Sequence, residues 1–379
     1  MKKRDMILAA CVAVLLVTVG VFSGYLYGTH KLTKEYRLKD ENLQRVIHAW
    51  VGIQDYHMNN EILDYEDISN HAIQGMVEAL NDRYAFYYPP GRPDAIDNLG
   101  INYIGVGCSF FFNDDGSRVI SEIYKVSPAA EAGIQIGDVV LSINGIDVRG
   151  TSREFIASLM SGDDGTHVIF TVLRDGKTMD IDVTMGKVKM PSAIYTLDDG
   201  VGFIVISTFD EYVVDDFMDC LRKAEADHVT GIVIDLLDNF GGLTAAVIPI
   251  ASCFLDEGDT LISFYDHGSV KTVTAQKSDL HTDVPVVVLI SENTASAAEM
   301  LLCALTENGR AVSAGTTTFG KGTWNLNIGF NDAMLQFTGG TWNTPNGNNV
   351  TGKGVTPDYE VDLYDDPWGW CISYLTGTD

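Results

Sequence analysis

The chain has 379 residues, enough for two or three domains, and its 46% hydrophobic and 10% aromatic content supplies real cores and excludes wholesale disorder. A formal net charge of −27 repels phosphate backbones, so no nucleic acid is expected as a partner. Six cysteines show no CxxC spacing and eight histidines no HExxH, so neither a metal site nor a cofactor is expected.

Lys2-Lys3-Arg4-Asp5 opens the chain, and no charge follows from Met6 to Thr29. That run is mostly apolar, is long enough to span a bilayer, and places Tyr25 and Tyr27 where a membrane interface suits them. A retained transmembrane helix over residues 1–29 is the expectation. A cleaved signal peptide is its rival, but the apolar run continues past Thr18-Val19-Gly20, a poor cleavage site. Basic residues flank both ends, Lys2, Lys3 and Arg4 before and Lys31, Lys34, Arg37 and Lys39 after, so charge alone does not orient the span. Cys11 lies within it, whereas Cys220, Cys253 and Cys303 fall on apolar helical patterns and read as buried thiols.

From Lys31 the pattern is helical, with Leu43, Val46, Ile47, Trp50, Val51 and Ile53 forming an apolar stripe. A second helix starts near Asp67 and carries Ile73, Met76, Val77 and Leu80 before Asn81-Asp82-Arg83-Tyr84 breaks it. Residues 30–90 are therefore predicted as a helical arm.

Residues 91–186 read as a small β-rich domain. Ile104 to Phe110 and Ser117 to Val126 are strand-like, Ser127 to Gly133 starts a short helix, and Asn144-Gly145 after Val139 to Ile143 is a strong hairpin signal. Ser152 to Met160 is helical, and two further strands flank Asp175-Gly176. This order resembles a circularly permuted PDZ domain of the bacterial protease type. Ile104, Gly105, Val106 and Gly107 offer a loop without side-chain obstruction, whose N–H groups suit a peptide carboxylate. Cys108, Phe110 and Leu159 or Met160 suit an apolar pocket beside it. The expected partner is a protein or peptide with a free apolar C-terminus.

From Lys187 strands and helices alternate. Val201 to Phe209, Gly231 to Leu236 and Pro285 to Ile290 are strand-like, the last two of the buried type, and helices are expected over residues 214–226, 244–254 and 297–306. Such a βαβ domain places its site where strands end and helices begin. Two loops fall there, Asp238-Asn239-Phe240-Gly241-Gly242 and Glu292 to Ser296.

The second loop runs Asn293-Thr294-Ala295-Ser296-Ala297-Ala298-Glu299, and Phe319-Gly320-Lys321-Gly322 follows downstream. A serine among small residues is open to substrate, and a neutral lysine amine can take its hydroxyl proton without any histidine. These residues and their spacing resemble the carboxyl-terminal processing proteases, the PDZ-containing Ser/Lys peptidases of the S41 type. The resemblance implies a crotonase- and Clp-protease-like α/β catalytic domain with the PDZ domain inserted, Ser296 as nucleophile and Lys321 as base. It implies an oxyanion hole from Gly241, Gly242 and Ala297, with Asn325, Glu299 and Thr318 supporting the site. Lys321 must be neutral to act, so burial has to bring its pKa down from about 10.4. Leu237 and Phe240 stand where arginine and proline are common in that family, Asn325 where many members carry glutamine, and Glu307 where some carry aspartate.

The predicted division is thus a membrane anchor over 1–29, a helical arm over 30–90, a PDZ domain over 91–186, a protease domain over 187–363 and a tail over 364–379. The expected protein is a single-pass endopeptidase of the cell membrane, its catalytic domain outside the cytoplasm, with a homo-oligomer left open. A catalytically inactive PDZ scaffold is the alternative, and a crotonase-like acyl-thioester enzyme, for which the PDZ segment has no use, is a third.

Overall fold

The computed structural model describes residues 40–91, 102–113, 115–266 and 268–378. The expected anchor, residues 1–29, lies outside them, and among the described residues no helix is long and apolar enough to cross a membrane. The chain divides into two units. One holds the residues through Asp94 together with Asn325–Gly339, and the other holds Ala95–Trp324 and Gly340–Asp379.

In the first unit both predicted helices form. Helix α1, Glu41–Tyr56, is capped by the Asp40 carboxylate, which accepts the N–H groups of Asn42 and Leu43. Helix α2, Tyr65–Glu78, is capped in the same way by Asp64. Strand β1, Phe86–Tyr88, then pairs antiparallel with Met334–Gln336, and Asp82 accepts the Thr338 N–H at 2.7 Å and its hydroxyl at 3.0 Å. Nothing in the pattern of residues 325–339 announces this partnership with the arm.

The β-rich part of the second unit contains β2 (Asn102–Gly105), β3 (Cys108–Phe112), β4 (Arg118–Ile123), the short helix α3 (Pro128–Ala132), β5 (Val139–Ile143) and β6 (Ile146–Asp147). It continues with α4 (Arg153–Leu159), β7 (His167–Arg174), β8 (Lys177–Thr184) and β9 (Gly186–Lys189). One sheet has the order β3-β4-β5-β7-β8, and β2 pairs separately with β9. Both predicted turns take positive φ at both central residues, Asn144 and Gly145 in one and Asp175 and Gly176 in the other, as hairpin twist requires. Phe110, Ile120, Val140, Phe170 and Val183 fill the core.

The catalytic part begins with β10 (Ala193–Asp198) and β11 (Val201–Ile206), then α5 (Val213–Ala226), β12 (Gly231–Asp235) and α6 (Val247–Ala251). The hairpin β13 (Thr260–Asp266) and β14 (Ser269–Thr274) precedes β15 (Val286–Ile290), α7 (Ala297–Glu307) and β16 (Ala311–Gly315). Strands β17 (Thr323–Phe330) and β18 (Ala333–Asn343), the short β19 (Tyr359–Glu360) and helix α8 (Pro367–Thr376) complete the chain. The main sheet has the order β10-β11-β12-β15-β16-β19, parallel from β11 onward. Strands β12 and β15 are buried at every position, as their unbroken apolar runs require.

Helices α5, α6 and α7 contribute to the core on one face of this sheet. The second face is where the structure departs from the sequence reading: the segment read as a tail from residue 364 is helix α8, with Cys371 buried on it. Trp368 stacks on Phe203, centroids 4.3 Å apart, and its indole N–H donates to Asp235 at 2.9 Å. Burial pushes the Asp235 carboxyl upward despite that bond and one from the Leu237 N–H. The described cysteines are all unpaired thiols, as their spacing implied.

Candidate active site

The carboxyl ends of β11, β12, β15 and β16 lead into four loops, residues 207–212, 236–243, 291–296 and 316–322. The second and third are stitched together by small polar side chains. Thr294 Oγ1 donates to the Leu236 carbonyl at 2.7 Å, the Ser291 hydroxyl donates to the Leu237 carbonyl, and the Ala295 N–H donates to the Asn239 carbonyl at 3.0 Å. Asn293 Nδ2 reaches Asp238 at 3.0 Å.

Ser296 closes the third loop as the residue before α7. Its backbone sits at φ 57° and ψ −115°, a conformation that a residue with a Cβ adopts only under strain. It is buried, and Glu299, one turn into the helix, accepts its N–H at 2.9 Å.

That carboxylate does more than cap the helix. Glu299 is fully buried and accepts four hydrogen bonds: Oε2 from the N–H groups of Ser296 and Lys321, at 2.9 and 2.8 Å, and Oε1 from the Thr318 hydroxyl and the Gly320 N–H, at 2.6 and 2.8 Å. One side chain therefore binds the backbone of both predicted catalytic residues through a single oxygen. Thr318 in turn accepts the Val355 N–H at 2.7 Å, and the Lys321 carbonyl accepts the Trp342 indole N–H at 2.9 Å. Glu299 thus gathers the backbone N–H groups of Ser296 and Lys321 and the Thr318 hydroxyl.

Gly241 lies against Ser296. A Cβ built there would stand 2.7 Å from the Ala295 carbonyl oxygen, 2.8 Å from Ser296 Cβ and 3.0 Å from the Ala297 nitrogen, so only glycine permits the approach. Gly242, at φ 138°, presses its Cα on the Phe209 carbonyl in the same way. The N–H of Gly241 is already given to Asn239 Oδ1 at 2.8 Å, while Asn239 Nδ2 donates to the Ile206 carbonyl at 2.7 Å. Asn239 is thus the tie between β11, the glycine pair and the serine loop. Ala297 is the first residue of α7, and the helix itself cannot satisfy its N–H.

Asn325 and Glu307, which depart from the family pattern, lie on β17 and at the end of α7. Asn325 belongs to the other unit, and its Oδ1 is buried and accepts no hydrogen bond among the described residues. Glu307 ends α7 and accepts the Asn346 N–H at 2.7 Å.

In the β-rich domain the loop of Ile104, Gly105, Val106 and Gly107 is partly committed. Ile104 and Gly105 pair in register with Lys187 and Gly186, the Val106 carbonyl accepts the Ala129 N–H at 2.8 Å, and Gly107 packs on Ser127. Strand β3, which follows, is an edge of its sheet among the described residues. Cys108 at its start is half-buried, its thiol pushed up to about 12 by burial, so it behaves as an apolar wall.

A parallel α/β sheet with a strained serine at a strand-to-helix turn, glycines pressed against it and a small β-rich domain ahead of it defines a class, the serine peptidases. Residues 200–361 match the model of peptidase family S41, and residues 119–174 match that of a PDZ domain. The chain thus joins an S41 serine-peptidase domain to a PDZ domain, the architecture of the carboxyl-terminal processing proteases. It is 29% identical over 355 residues to the "Probable CtpA-like serine protease" of Staphylococcus haemolyticus (strain JCSC1435), covering 92% of this chain and 71% of that protein. The protein of the same name in Staphylococcus aureus (strain COL) is 28% identical over 367 residues, covering 95% and 73%. The solved structure of a photosystem II D1 C-terminal processing protease is 23% identical, with TM-score 0.49, covering 85% of this chain and 94% of that one.

Proposed function

We propose that the chain is a membrane-anchored endopeptidase that captures a free apolar C-terminus in its PDZ domain and cleaves the same polypeptide with Ser296 and Lys321. The observation that carries this reading is the Glu299 carboxylate, bonded at once to the backbones of Ser296 and Lys321. Ser296 Oγ attacks the scissile carbonyl carbon while the neutral Lys321 amine takes the hydroxyl proton. The oxyanion so formed is held by the N–H groups of Ala297 and Gly242, with Gly241 keeping the approach open. Gly241 adds its own N–H only if Asn239 releases it. The Lys321 ammonium then protonates the leaving amine as the C–N bond breaks. The amine, neutral again, takes a proton from the water that attacks the acyl-enzyme.

Capture of the peptide fits strand addition along the edge of β3, with Cys108, Phe110 and Leu159 beside it. Residues 1–29 serve as the anchor and hold the catalytic domain outside the cytoplasm. Protease shaving of intact cells should digest the catalytic domain, and complete protection until the membrane is opened would reject that orientation.

The test of the chemistry is a fluorophosphonate label together with peptide cleavage. Ser296 should carry the adduct, and Ser296→Ala and Lys321→Ala should each remove nearly all cleavage, because the pair acts as one unit. Lys321→Arg should be equally inactive, since a guanidinium cannot give up its proton. Near-normal cleavage by Lys321→Arg would reject the mechanism.

A further inference from the structure

The glycine pair beside Ser296 is fixed from behind by Phe209, which donates its N–H to the Gly241 carbonyl at 2.9 Å and accepts the Leu243 N–H at 2.6 Å. Phe209 therefore grips the chain on both sides of Gly242. The next residue is Asp210, nearly fully buried, whose Oδ1 accepts the N–H groups of Tyr212 and Val213 at 2.9 and 3.0 Å. Its Oδ2 accepts the Ser192 hydroxyl at 2.6 Å and is ion-paired with Lys189 at 2.6 Å.

Lys189 comes from the strand that closes the β-rich part of the unit. It is the last residue of β9, paired through that strand with β2 of the PDZ domain, and it lies outside residues 200–361 of the family match. Its side chain is only 12% exposed, and its ammonium sits 3.7 Å from the centre of the Tyr212 ring. A buried ion pair of this kind adds little net stability over an apolar pair of the same volume, because both charges lose their water. What it does enforce is geometry: the carboxylate of Asp210 has one place where all four partners are met.

From these contacts we infer that Lys189 and Asp210 are positioning residues for the oxyanion loop, acting through Phe209 on Gly241 and Gly242. The inference rests on the Ser296 and Lys321 reading. With the ion pair in place, Phe209 holds the chain on both sides of Gly242, the residue proposed to share the oxyanion with Ala297. Without it, the 207–212 loop relaxes and the glycine pair shifts with Phe209.

The experiment uses the full chain in detergent, with kcat normalised to the fraction of Ser296 titrated by a fluorophosphonate. Lys189→Met leaves Asp210 three of its four partners but strands its charge, so the titrated fraction is needed to count the folded molecules. Its kcat should drop about tenfold or more, short of the 10²–10³-fold loss seen when an oxyanion donor is removed outright. KM should stay within about twofold, and the Ki of a peptide aldehyde, whose hemiacetal oxygen occupies the same hole, should rise by the same factor as kcat falls. Lys189→Arg, which keeps the charge, should recover kcat to within about threefold of the unaltered chain. Should Lys189→Met fail to fold, Ser192→Ala, which removes one donor from Asp210 without stranding a charge, should lower kcat about threefold with KM unmoved. A purely structural pair would lower the titratable fraction and leave kcat per titrated site unchanged in these variants, and that result overturns the inference. If instead the unaltered chain gives no adduct at Ser296, the Ser/Lys reading has failed and the inference falls with it.

Discussion

Glu299 and Lys321 meet through the backbone: the lysine N–H donates to Oε2 of the glutamate at 2.8 Å, and the same oxygen takes the N–H of Ser296 at 2.9 Å. The base in the proposed chemistry is thus located through its backbone, by the same carboxylate oxygen that holds the nucleophile's. Four donors converge on its two oxygens, and that arrangement fixes what a substitution there will do.

Glu299→Gln replaces one acceptor oxygen with an amide nitrogen that faces two donors, whichever way the amide turns. Stability should fall by about 1–3 kcal/mol, the cost of leaving buried donors unmet. Cleavage per folded molecule should fall more than tenfold as the two loops separate. Denaturant melts and peptide hydrolysis on the same preparation check both numbers, and unchanged kcat would show that the carboxylate only supports the helix.

Gly241→Ala should abolish cleavage, because its Cβ collides with Ser296 Cβ and the Ala295 carbonyl at a φ of 96°. Gly258 provides the control. It has φ 102° but nothing within 4 Å of a built Cβ, so Gly258→Ala should cost about 1–2 kcal/mol of conformational strain and leave kcat intact. Loss of activity in both variants would mean that strain, and not the approach to Ser296, is responsible.

The PDZ domain should lose stability in acid through Asp138. Burial alone would raise its carboxyl, but the Arg174 guanidinium and the Gln135 N–H outweigh burial and hold it below the ordinary range. A depressed folded pKa contributes stability that is present above the unfolded value, about 3.9, and is lost as pH falls through the folded one. Melting temperature followed from pH 6 downward should therefore drop below about pH 4, and Asp138→Asn should flatten that part of the curve while lowering the plateau. An unaltered slope in the variant would place the acid lability elsewhere.

Peptide capture is best measured on the Ser296→Ala chain, which cannot consume its ligand. A peptide ending in an apolar residue with a free carboxylate should bind with roughly micromolar Kd, about −8 kcal/mol. Its C-terminal amide should bind far more weakly. Equal affinity for acid and amide would remove the loop from Ile104 to Gly107 from carboxylate recognition.

Local chemistry was the legible part of this chain. Asn144-Gly145 and Asp175-Gly176 announced their turns because only a few residue types accept positive φ twice in succession. The runs at Gly231 and Val286 announced buried strands because a strand covered on both faces has no polar side to show. Ser296, Lys321 and the two glycines stood out through their flanks.

What stayed hidden depends on partners distant along the chain. Trp368 meets Asp235 across 133 positions, so α8 read as an uninformative tail although it covers a face of the sheet. Lys189 and Asp210 are ordinary charges in the sequence, and only the fold buries them against each other. The side chain of Asn239 carries no signal beyond its place in a turn, yet it binds the Gly241 N–H and the Ile206 carbonyl together.

The chain leaves the catalytic unit after Trp324 and rejoins it at Gly340, and in between it pairs with Phe86–Tyr88. Cutting the protein down from its N-terminus is therefore not a route to a minimal peptidase. A chain that starts after Gly91 keeps residues 325–339 but discards both the strand they pair with and the Asp82 carboxylate that receives Thr338. The bare edge left behind is a template for a second molecule. Truncation should yield aggregates where a smaller enzyme was wanted, and the arm is as indispensable as the core it precedes.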